Sequence, residues 1–491
     1  MTEQLPAIIF LVPFFAAVMM PMIGMKNQDW CRPVALTALA VMSVTSISMY
    51  AGIVSHGPIS YAFSGWAPPI GIEWIADGLS GLLIMMVSLL AFVTVTFAGP
   101  ATPAGIGGRI PYYYTLILLL ISALSGIVMA GDLFNVFVFL EVASLASYAL
   151  VGLSGGRALI SAFRYLILGT LGAALYLLGV GYFYAVTGTL NMADVATHLP
   201  ELLKSKAVMA GLIFMVLGLA IKMALVPLHG WLPDAYTDAP DSITPILAPL
   251  VTKVAVFALI RILFWALGAK TVIQDVPILL IVSWLGAIAA IVGAFLALSQ
   301  TEIKRLFAYG GISHVGLILI GICLGNQTGF AGGVFYLIND AVMQAVLFFI
   351  AASVFYRHGI RTVTDLVHIR GQMPWTTAAL VIVGLSMIGI PPTGGFFGKW
   401  YIILGALDAG NYVAVAAVLA ATLLTLAYFV KIFEYVFFES TSVAKHPASE
   451  IPGPMKFSMG ALSAAIIILG LVSDQVVTLI LEHALPRGLI T

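Results

Sequence analysis

The sequence has few charged residues and few cysteines. Only 9% of its 491 residues are Asp, Glu, Lys or Arg, compared with about 25% in soluble domains. Hydrophobic residues make up 61% of the chain, and the mean hydropathy is +1.10. The two cysteines, Cys31 and Cys323, match no metal-binding or redox spacing. No stretch is long enough for a soluble domain, so we predict an all-α integral membrane protein.

Several functional signatures are also missing. The sequence contains no basic patch, nucleotide-binding glycine loop, haem or iron–sulfur ligand set, or hydrolytic triad. We therefore expect no cofactor, no nucleic-acid partner and no redox or hydrolytic chemistry of its own, while the sequence leaves any metal unspecified. The first 25 residues lack the basic start of a signal peptide, so we interpret them as a retained helix.

About 20 consecutive apolar residues can cross a bilayer, and this criterion predicts fourteen spans. They are approximately 5–24, 33–54, 75–98, 112–130, 133–153, 159–187, 207–228, 240–268, 274–298, 303–324, 329–356, 375–407, 411–437 and 457–483. The connection 55–74 is rich in Gly, Pro and aromatic residues and lacks Lys and Arg. These features predict an extended hairpin on the outer face.

The distribution of basic residues predicts the orientation. Loops after the odd-numbered spans hold eleven bases, and the opposite loops with the C-terminus hold four. The eleven are Lys26, Arg32, Arg109, Arg157, Lys304, Arg305, Arg357, Arg361, Arg370, Lys445 and Lys456. Both termini are therefore predicted to lie outside a plasma or inner cell membrane.

Span 7 contains a lysine deep within apolar sequence. Lys222 is followed by Pro227, His229 and Asp234, and proline removes a backbone donor, which predicts a helix broken at Pro227. A charge near the bilayer midplane costs at least about 3 kcal/mol, so Lys222 needs a partner or a wet cavity. The alternative is a lysine that snorkels to the interface.

A second break is predicted in span 12, where Pro391 and Pro392 precede three glycines and Lys399. Breaks five spans apart are typical of inverted repeats, because an odd offset turns one copy upside down. We predict five-helix repeats from spans 4–8 and 9–13. The corresponding regions are 1–111 for helices 1–3, 112–268 and 269–437 for the repeats, and 438–491 for helix 14.

Glu141 lies in the middle of span 5 without a neighbouring base. A lone buried carboxylate would be protonated, whereas a partner lysine would keep it charged. We predict pairing with Lys222, either as a static bridge or as a switch that sets the proton affinity of Lys222. Lys431 and Glu434 could form a separate structural pair along one helix face.

Further buried polar groups suggest a proton relay. Its predicted members, with Glu141 and Lys222, are Lys253, His314 and Lys399; secondary candidates are His229, Asp234 and Asp340. A lone helical histidine can equally be a satisfied core group, and His229 could cap the broken helix. For Asp77 and Asp132 we favour roles as helix N-terminal carboxylates.

These residues stand in recognisable motifs. The motifs are GDLFNVFVFLEVASLASYALVG with Glu141, GLAIKMALVPLHGWLPDAY with Lys222, LVTKVAVFALIR with Lys253, KRLFAYGGISHVG with His314 and PPTGGFFGKW with Lys399. Over nearly its whole length the chain resembles the antiporter-like subunits shared by complex I and Mrp-type cation/proton antiporters. Within that family it is most similar to D-type Mrp subunits, through GTLNMADVA and Lys399.

The resemblance implies fourteen helices, two inverted repeats, a hydrated central axis for protons and assembly with other Mrp subunits in a lipid bilayer. The chain departs from the family at Tyr236, where many relatives carry histidine. It also departs in span 11, which reads Asn339–Asp340 and Gln344 in place of an asparagine–histidine pair and a later lysine. Either the usual relay there is altered, or Asp340 tunes a cation-linked site.

The leading hypothesis is thus a proton-translocating subunit of an Na⁺/H⁺ antiporter. The runner-up is a proton-pumping subunit of a complex I-type NADH:quinone oxidoreductase or a membrane-bound hydrogenase. A non-conducting scaffold is a third possibility, and it would tolerate neutral residues at Glu141 and Lys399. A solute carrier is the fourth, although the sequence shows no substrate-sized group of convergent polar residues.

Overall fold

The computed structural model describes residues 2–102, 106–439 and 450–489. Within these residues, twelve helices are long and apolar enough to cross a membrane. Predicted span 12 is divided into two shorter helices, and predicted span 7 is a helix that ends at Lys222, followed by a non-helical segment and a short helix beyond the predicted bounds. Predicted span 14 is likewise divided, with a helix that ends at Leu471 and another that starts at Ser473. The twelve helices and the interrupted spans 7 and 12 together account for the fourteen predicted spans. Lys445, one of the bases counted for the orientation, lies outside the described residues.

The helices before the second predicted repeat are α1 (Leu5–Lys26), α2 (Cys31–His56), α3 (Gly78–Ala98), α4 (Ile110–Met129), α5 (Leu133–Val151), α6 (Arg157–Thr187), α7 (Met192–Leu202), α8 (Lys206–Lys222), α9 (Trp231–Asp238), α10 (Thr244–Arg261) and α11 (Ala269–Gln274). The remaining helices are α12 (Ile278–Leu298), α13 (Ile303–Ile322), α14 (Gln327–His358), α15 (Pro374–Ile388), α16 (Gly394–Asp408), α17 (Tyr412–Phe433), α18 (Gly453–Leu471) and α19 (Ser473–His483).

The segment between α2 and α3 forms the predicted hairpin. Its strands β1 (Ile59–Ala62) and β2 (Glu73–Ala76) are antiparallel, with Ile59 opposite Ala76. The following residue, Asp77, caps α3 in a capping box with Ser80, which satisfies backbone donors that the first helical turn leaves free. Asp132 caps α5 in the same sense by accepting from the backbone N–H of Asn135 at 2.6 Å. The N-terminal roles predicted for both aspartates are confirmed.

Both predicted breaks are present, but the first begins earlier than Pro227. Helix α8 ends at Lys222, Ala224 has a positive φ of 56°, and α9 starts only at Trp231. Positive φ is unfavourable for alanine and cannot continue a right-handed helix. The chain therefore leaves the helix directly after the buried lysine, and Pro227 lies inside the non-helical segment.

Three other expectations need correction or extension. Lys431 does not reach Glu434; its ammonium group donates to the carbonyl oxygens of Leu298 at 3.4 Å and Gln300 at 3.3 Å. Carbonyls at the end of α12 have no intrahelical partner and attract this cation. The connection predicted after span 6 contains the short helix α7, whose apolar face is buried. Lys304, one of the loop bases counted for the orientation, is largely buried and paired with Asp241 at 3.1 Å.

Glycine pairs bring two helix pairs into close contact. On α6 and α8, a β-carbon at Gly218 would collide with the carbonyl oxygen of Gly172. On α12 and α13, a β-carbon at Gly316 would collide with the carbonyl oxygen of Gly286. Small residues at such crossings allow membrane helices to pack backbone to backbone. These contacts hold α8 and α13, which carry Lys222 and His314, in fixed positions.

We expect Gly172→Leu to destabilise the subunit by about 1–3 kcal/mol, the usual cost of overpacking. Its new side chain would meet the carbonyl of Gly218 and the side chain of Ile221. Gly181→Leu on the same helix is the control, because a β-carbon there meets nothing within 4 Å. The thermal midpoint measured by fluorescence-detected gel filtration should fall only for Gly172→Leu. Equal midpoints for both variants would contradict the tight crossing.

Candidate functional site

The first polar cluster surrounds the ammonium group of Lys222. Its Nζ atom lies 3.5 Å from Glu141 Oε1, 2.6 Å from Ser144 Oγ and 3.5 Å from Tyr148 Oη. These three partners lie on one face of α5, since residues at helical spacings of three and four are neighbours. Lys222 is only 6% exposed. The predicted pairing of Lys222 with Glu141 is therefore present, and it excludes a lysine that snorkels to the surface.

The break itself positions Lys222. As the last residue of α8, Lys222 lies where carbonyl groups lose their intrahelical donors. Trp231 Nε1 donates to the carbonyl oxygen of Ile221 at 2.8 Å. The backbone N–H of Leu225 donates to the carbonyl oxygen of Ala220 at 2.9 Å. Two carbonyl groups at the end of α8 thus find donors around the break, as interrupted helices within a membrane protein require.

The second polar cluster is centred on Asp340 of α14. Its Oδ2 atom lies 2.7 Å from Lys253 Nζ on α10, and its Oδ1 atom lies 2.8 Å from His314 Nδ1 on α13. All three side chains are at most 1% exposed. One carboxylate therefore contacts two bases contributed by different helices. The acid of span 11 thus forms an ion-paired network with Lys253 and His314.

The second break holds Lys399. This residue lies on α16, but its Nζ atom reaches back to the carbonyl oxygens of Met387 at 2.7 Å and Ile388 at 3.2 Å. These carbonyls belong to the last turn of α15, where they have no helical donor and where the helix dipole favours a positive charge. Lys399 is 4% exposed and interacts electrostatically with Asp340. The second break thus presents a buried ammonium group toward the second cluster.

A small cavity lies between the first break and the second cluster. Its lining includes Met223 of the break, Tyr236 of α9, and Thr252, Lys253 and Gln344. Its volume of about 10 Å³ is close to what one buried water needs. The cavity places polar groups of both predicted repeats around a common space that is large enough for about one water molecule.

Two secondary candidates lie away from these clusters. Asp234 on α9 forms ion pairs of 2.9 Å with both Arg164 and Arg305, and Arg164 is 63% exposed. Its carboxylate therefore fastens α9 to α6 and α13. His229 lies in the non-helical segment, half-buried, with its ring 6.2 Å from that of Tyr309. The structure brings neither residue to Asp340.

Besides Tyr336, whose hydroxyl group lies 3.2 Å from His314 Nδ1, three further contacts were missed by sequence reasoning. Ser144 and Tyr148 follow Glu141 by three and seven residues, so helical spacing alone could have indicated that they share its face. The third is the ion pair of Arg261 Nη1 with Asp77 Oδ2, at 2.5 Å. It joins α10 to the cap of α3, and the sequence carries no signal for a pairing between such distant positions.

Comparison with known proteins supports this architecture. Residues 130–425 match the family model described as NADH:quinone oxidoreductase/Mrp antiporter, transmembrane region. The chain is 39% identical to the N-type subunit of the NADH-quinone oxidoreductase of Desulforudis audaxviator, over 99% of both sequences. It is 30% identical to the D-type subunit of the Na⁺/H⁺ antiporter of Alkalihalophilus pseudofirmus, over 95% of this chain and 93% of that protein.

A solved structure also matches. It is the Mrp complex of Dietzia sp. DQ12-45-1b, with a TM-score of 0.86, 25% identity and coverage of 97% of this chain and 96% of the matched chain. Such relatives are subunits of multisubunit membrane assemblies. With its twelve candidate spans and two broken ones, this chain is a multi-pass membrane protein, and it belongs to the NADH:quinone oxidoreductase/Mrp antiporter family of transmembrane subunits.

Proposed function

We propose that the chain is the proton-translocating subunit of a multisubunit Na⁺/H⁺ antiporter. The observation that carries this proposal is the series of buried and partly buried titratable groups next to the two helix breaks. Its members are Glu141, Lys222, Lys253, Asp340, His314 and Lys399. Buried ionisable groups are costly in a membrane and usually mark a transport path. The similarity to the D-type subunit of an Na⁺/H⁺ antiporter and to a chain of an Mrp complex supports the same function.

The first cluster would work as a protonation switch. While Glu141 lies 3.5 Å from Lys222, the carboxylate stabilises the ammonium form. When the pair separates, burial favours neutral lysine and the proton leaves. The cavity beside Lys253 is the position through which it would pass to Asp340 and His314, and Lys399 lies at the far end. Each group gives up its proton reversibly, so the subunit needs no bond-making chemistry.

Partner subunits would complete the site. The Glu141 side chain is 27% exposed, and the same face of α5 exposes Phe134, Val138, Val142 and Leu145. A carboxylate at membrane depth is not stable against lipid. We therefore propose that another subunit of the complex covers this face. The remaining apolar surface would contact lipid, with the complex in the plasma or inner cell membrane and both termini outside.

The second candidate function is proton pumping within a complex I-type or hydrogenase assembly. The 39% identity to the N-type subunit of an NADH-quinone oxidoreductase favours it. The proton path would be the same, but electron transfer in other subunits would replace the Na⁺ gradient as the driving force. In either assembly, we propose that this chain carries protons without redox chemistry of its own.

The test compares the two driving forces on one preparation. The chain is purified with the subunits that accompany it and reconstituted into vesicles containing a pH-sensitive dye. An inward Na⁺ gradient should make the vesicle interior more alkaline, because each Na⁺ that enters is exchanged for protons that leave, and an equal choline gradient should not. A proton flux that appears only with NADH and quinone would support the second function. If neither condition moves protons through a tight, fully assembled preparation, both functions are wrong.

A further inference from the structure

Helix α14 carries polar side chains at every fourth position across its middle. Tyr336, Asp340 and Gln344 share one face, and each is at most 1% exposed. The eight residues from the first to the last cover about 12 Å of helix. Gln344 lines the cavity next to the first break. The ring of Tyr336 lies against Gly398 on α16, where a β-carbon would be 2.5 Å from its Cδ2 atom. The polar face therefore extends from the cavity beside the first break to α16, the helix that follows the second break.

The hydroxyl group of Tyr336 contacts the imidazole of His314. Its Oη atom lies 3.2 Å from Nδ1 and 3.4 Å from Nε2. Because Asp340 already binds Nδ1 at 2.8 Å, Nε2 is the nitrogen that still needs a partner. A tyrosine hydroxyl can accept a hydrogen bond from protonated Nε2 and donate one to the unprotonated atom. An ionised carboxylate only accepts hydrogen bonds and an ammonium group only donates them, so either could pair with both states of Nε2 only by changing its own charge.

We propose that Tyr336 is a positioning residue that allows His314 to gain and lose a proton while its imidazole stays fixed. This inference rests on the proton-translocating function proposed above. Without the hydroxyl group, Nε2 would be unpaired in both protonation states, and a buried unpaired group is costly, more so when it is charged. Tyr336 therefore supports both the protonated and the neutral form of His314, and thereby sets the pH range over which this step works.

Several charged groups surround the imidazole. His314 interacts electrostatically with Asp340 of α14, with Lys253 of α10 and with Lys399 of α16. Tyr336 is within electrostatic range of Asp340 and of Tyr428 on α17. The hydroxyl group of Tyr336 is uncharged, so its removal changes hydrogen bonding to His314 while the four charged or titratable neighbours remain.

The test replaces Tyr336 by phenylalanine in the assembled complex, with Tyr428→Phe as the matched control. Both tyrosines are fully buried, but Tyr428 Oη lies beside Gly310, 3.2 Å from the position of a β-carbon there. We expect Tyr336→Phe to slow proton transport about 2- to 10-fold, as for the loss of one hydrogen bond, and to shift the pH profile of the rate. Tyr428→Phe should keep the wild-type rate and profile.

Two results would overturn the inference. One is a Tyr336→Phe complex with the wild-type rate and pH profile. The other is an equal slowing in both phenylalanine variants without a shifted profile, because that outcome reflects packing alone. Failure of the proposed antiporter function would look different, since the wild type itself would then show no Na⁺-driven proton flux. In that case the same variants are compared for proton flux driven by NADH and quinone, and the two results named above would again overturn the role of Tyr336.

Discussion

Replacing Lys222 with arginine is expected to reduce Na⁺-driven proton transport by at least about 100-fold while the protein still assembles. Arginine keeps the positive charge beside Glu141, but its guanidinium group does not release a proton in proteins. Loss of a positioned proton carrier typically costs a factor of about 10²–10⁴. A static ion pair would behave differently, because arginine can replace lysine in a pair that only needs charge. The measurement is the initial rate of dye response in reconstituted vesicles.

Two further substitutions sharpen this test. Lys222→Ala and Glu141→Gln remove one partner each, and both should also abolish transport. Lys431→Arg is the matched control, because Lys431 binds the carbonyls of Leu298 and Gln300 and lies outside both clusters. Complex abundance on blue native gels verifies assembly. Full activity of Lys222→Arg would refute the switch and leave a structural ion pair.

Replacing Asp340 with asparagine should have the second large effect, on both transport and stability. The substitution leaves Lys253 and His314 buried without a counter-charge. Breaking a buried ion pair by removing one partner costs about 3–5 kcal/mol, so we expect less assembled complex and no measurable proton flux. The thermal midpoint of the purified complex and the vesicle assay measure the two effects separately.

A double variant separates stability from transport. Asp340→Leu with Lys253→Met removes the charged pair completely, and apolar replacement of buried ion pairs is often neutral or stabilising. We expect this variant to recover the thermal midpoint but not the proton flux. Asp365→Asn, a substitution in the connection after α14, should change neither property. Proton transport by the double variant would show that Asp340 and Lys253 are structural.

The sequence was most informative where physics leaves few options. An isolated glutamate and an isolated lysine in apolar spans need each other, and the 3.5 Å contact of Glu141 with Lys222 confirms that reasoning. The two breaks could be placed because proline and glycine interrupt apolar helices, although α8 ends at Lys222 rather than at Pro227. The hairpin before α3 followed from its turn residues and lack of bases.

The second cluster could not be derived in the same way. Asp340, Lys253 and His314 meet only because α10, α13 and α14 pack against one another, and periodicity does not show which faces of buried helices turn toward each other. The sequence therefore marked Asp340 as unusual without identifying its partners. The reach of Lys399 back to the end of α15 likewise depends on the geometry of the second break.

Because Lys253 and His314 share the single carboxylate of Asp340, the number of protons that this cluster can hold is limited. One negative charge balances one positive charge, so electroneutrality lets Lys253 and His314 hold a single extra hydrogen ion between them. A second proton can bind to this pair of bases only after the first has been transferred to another group. We therefore expect this cluster to hold one transported proton at a time, a limit that comes from its single carboxylate rather than from its two bases.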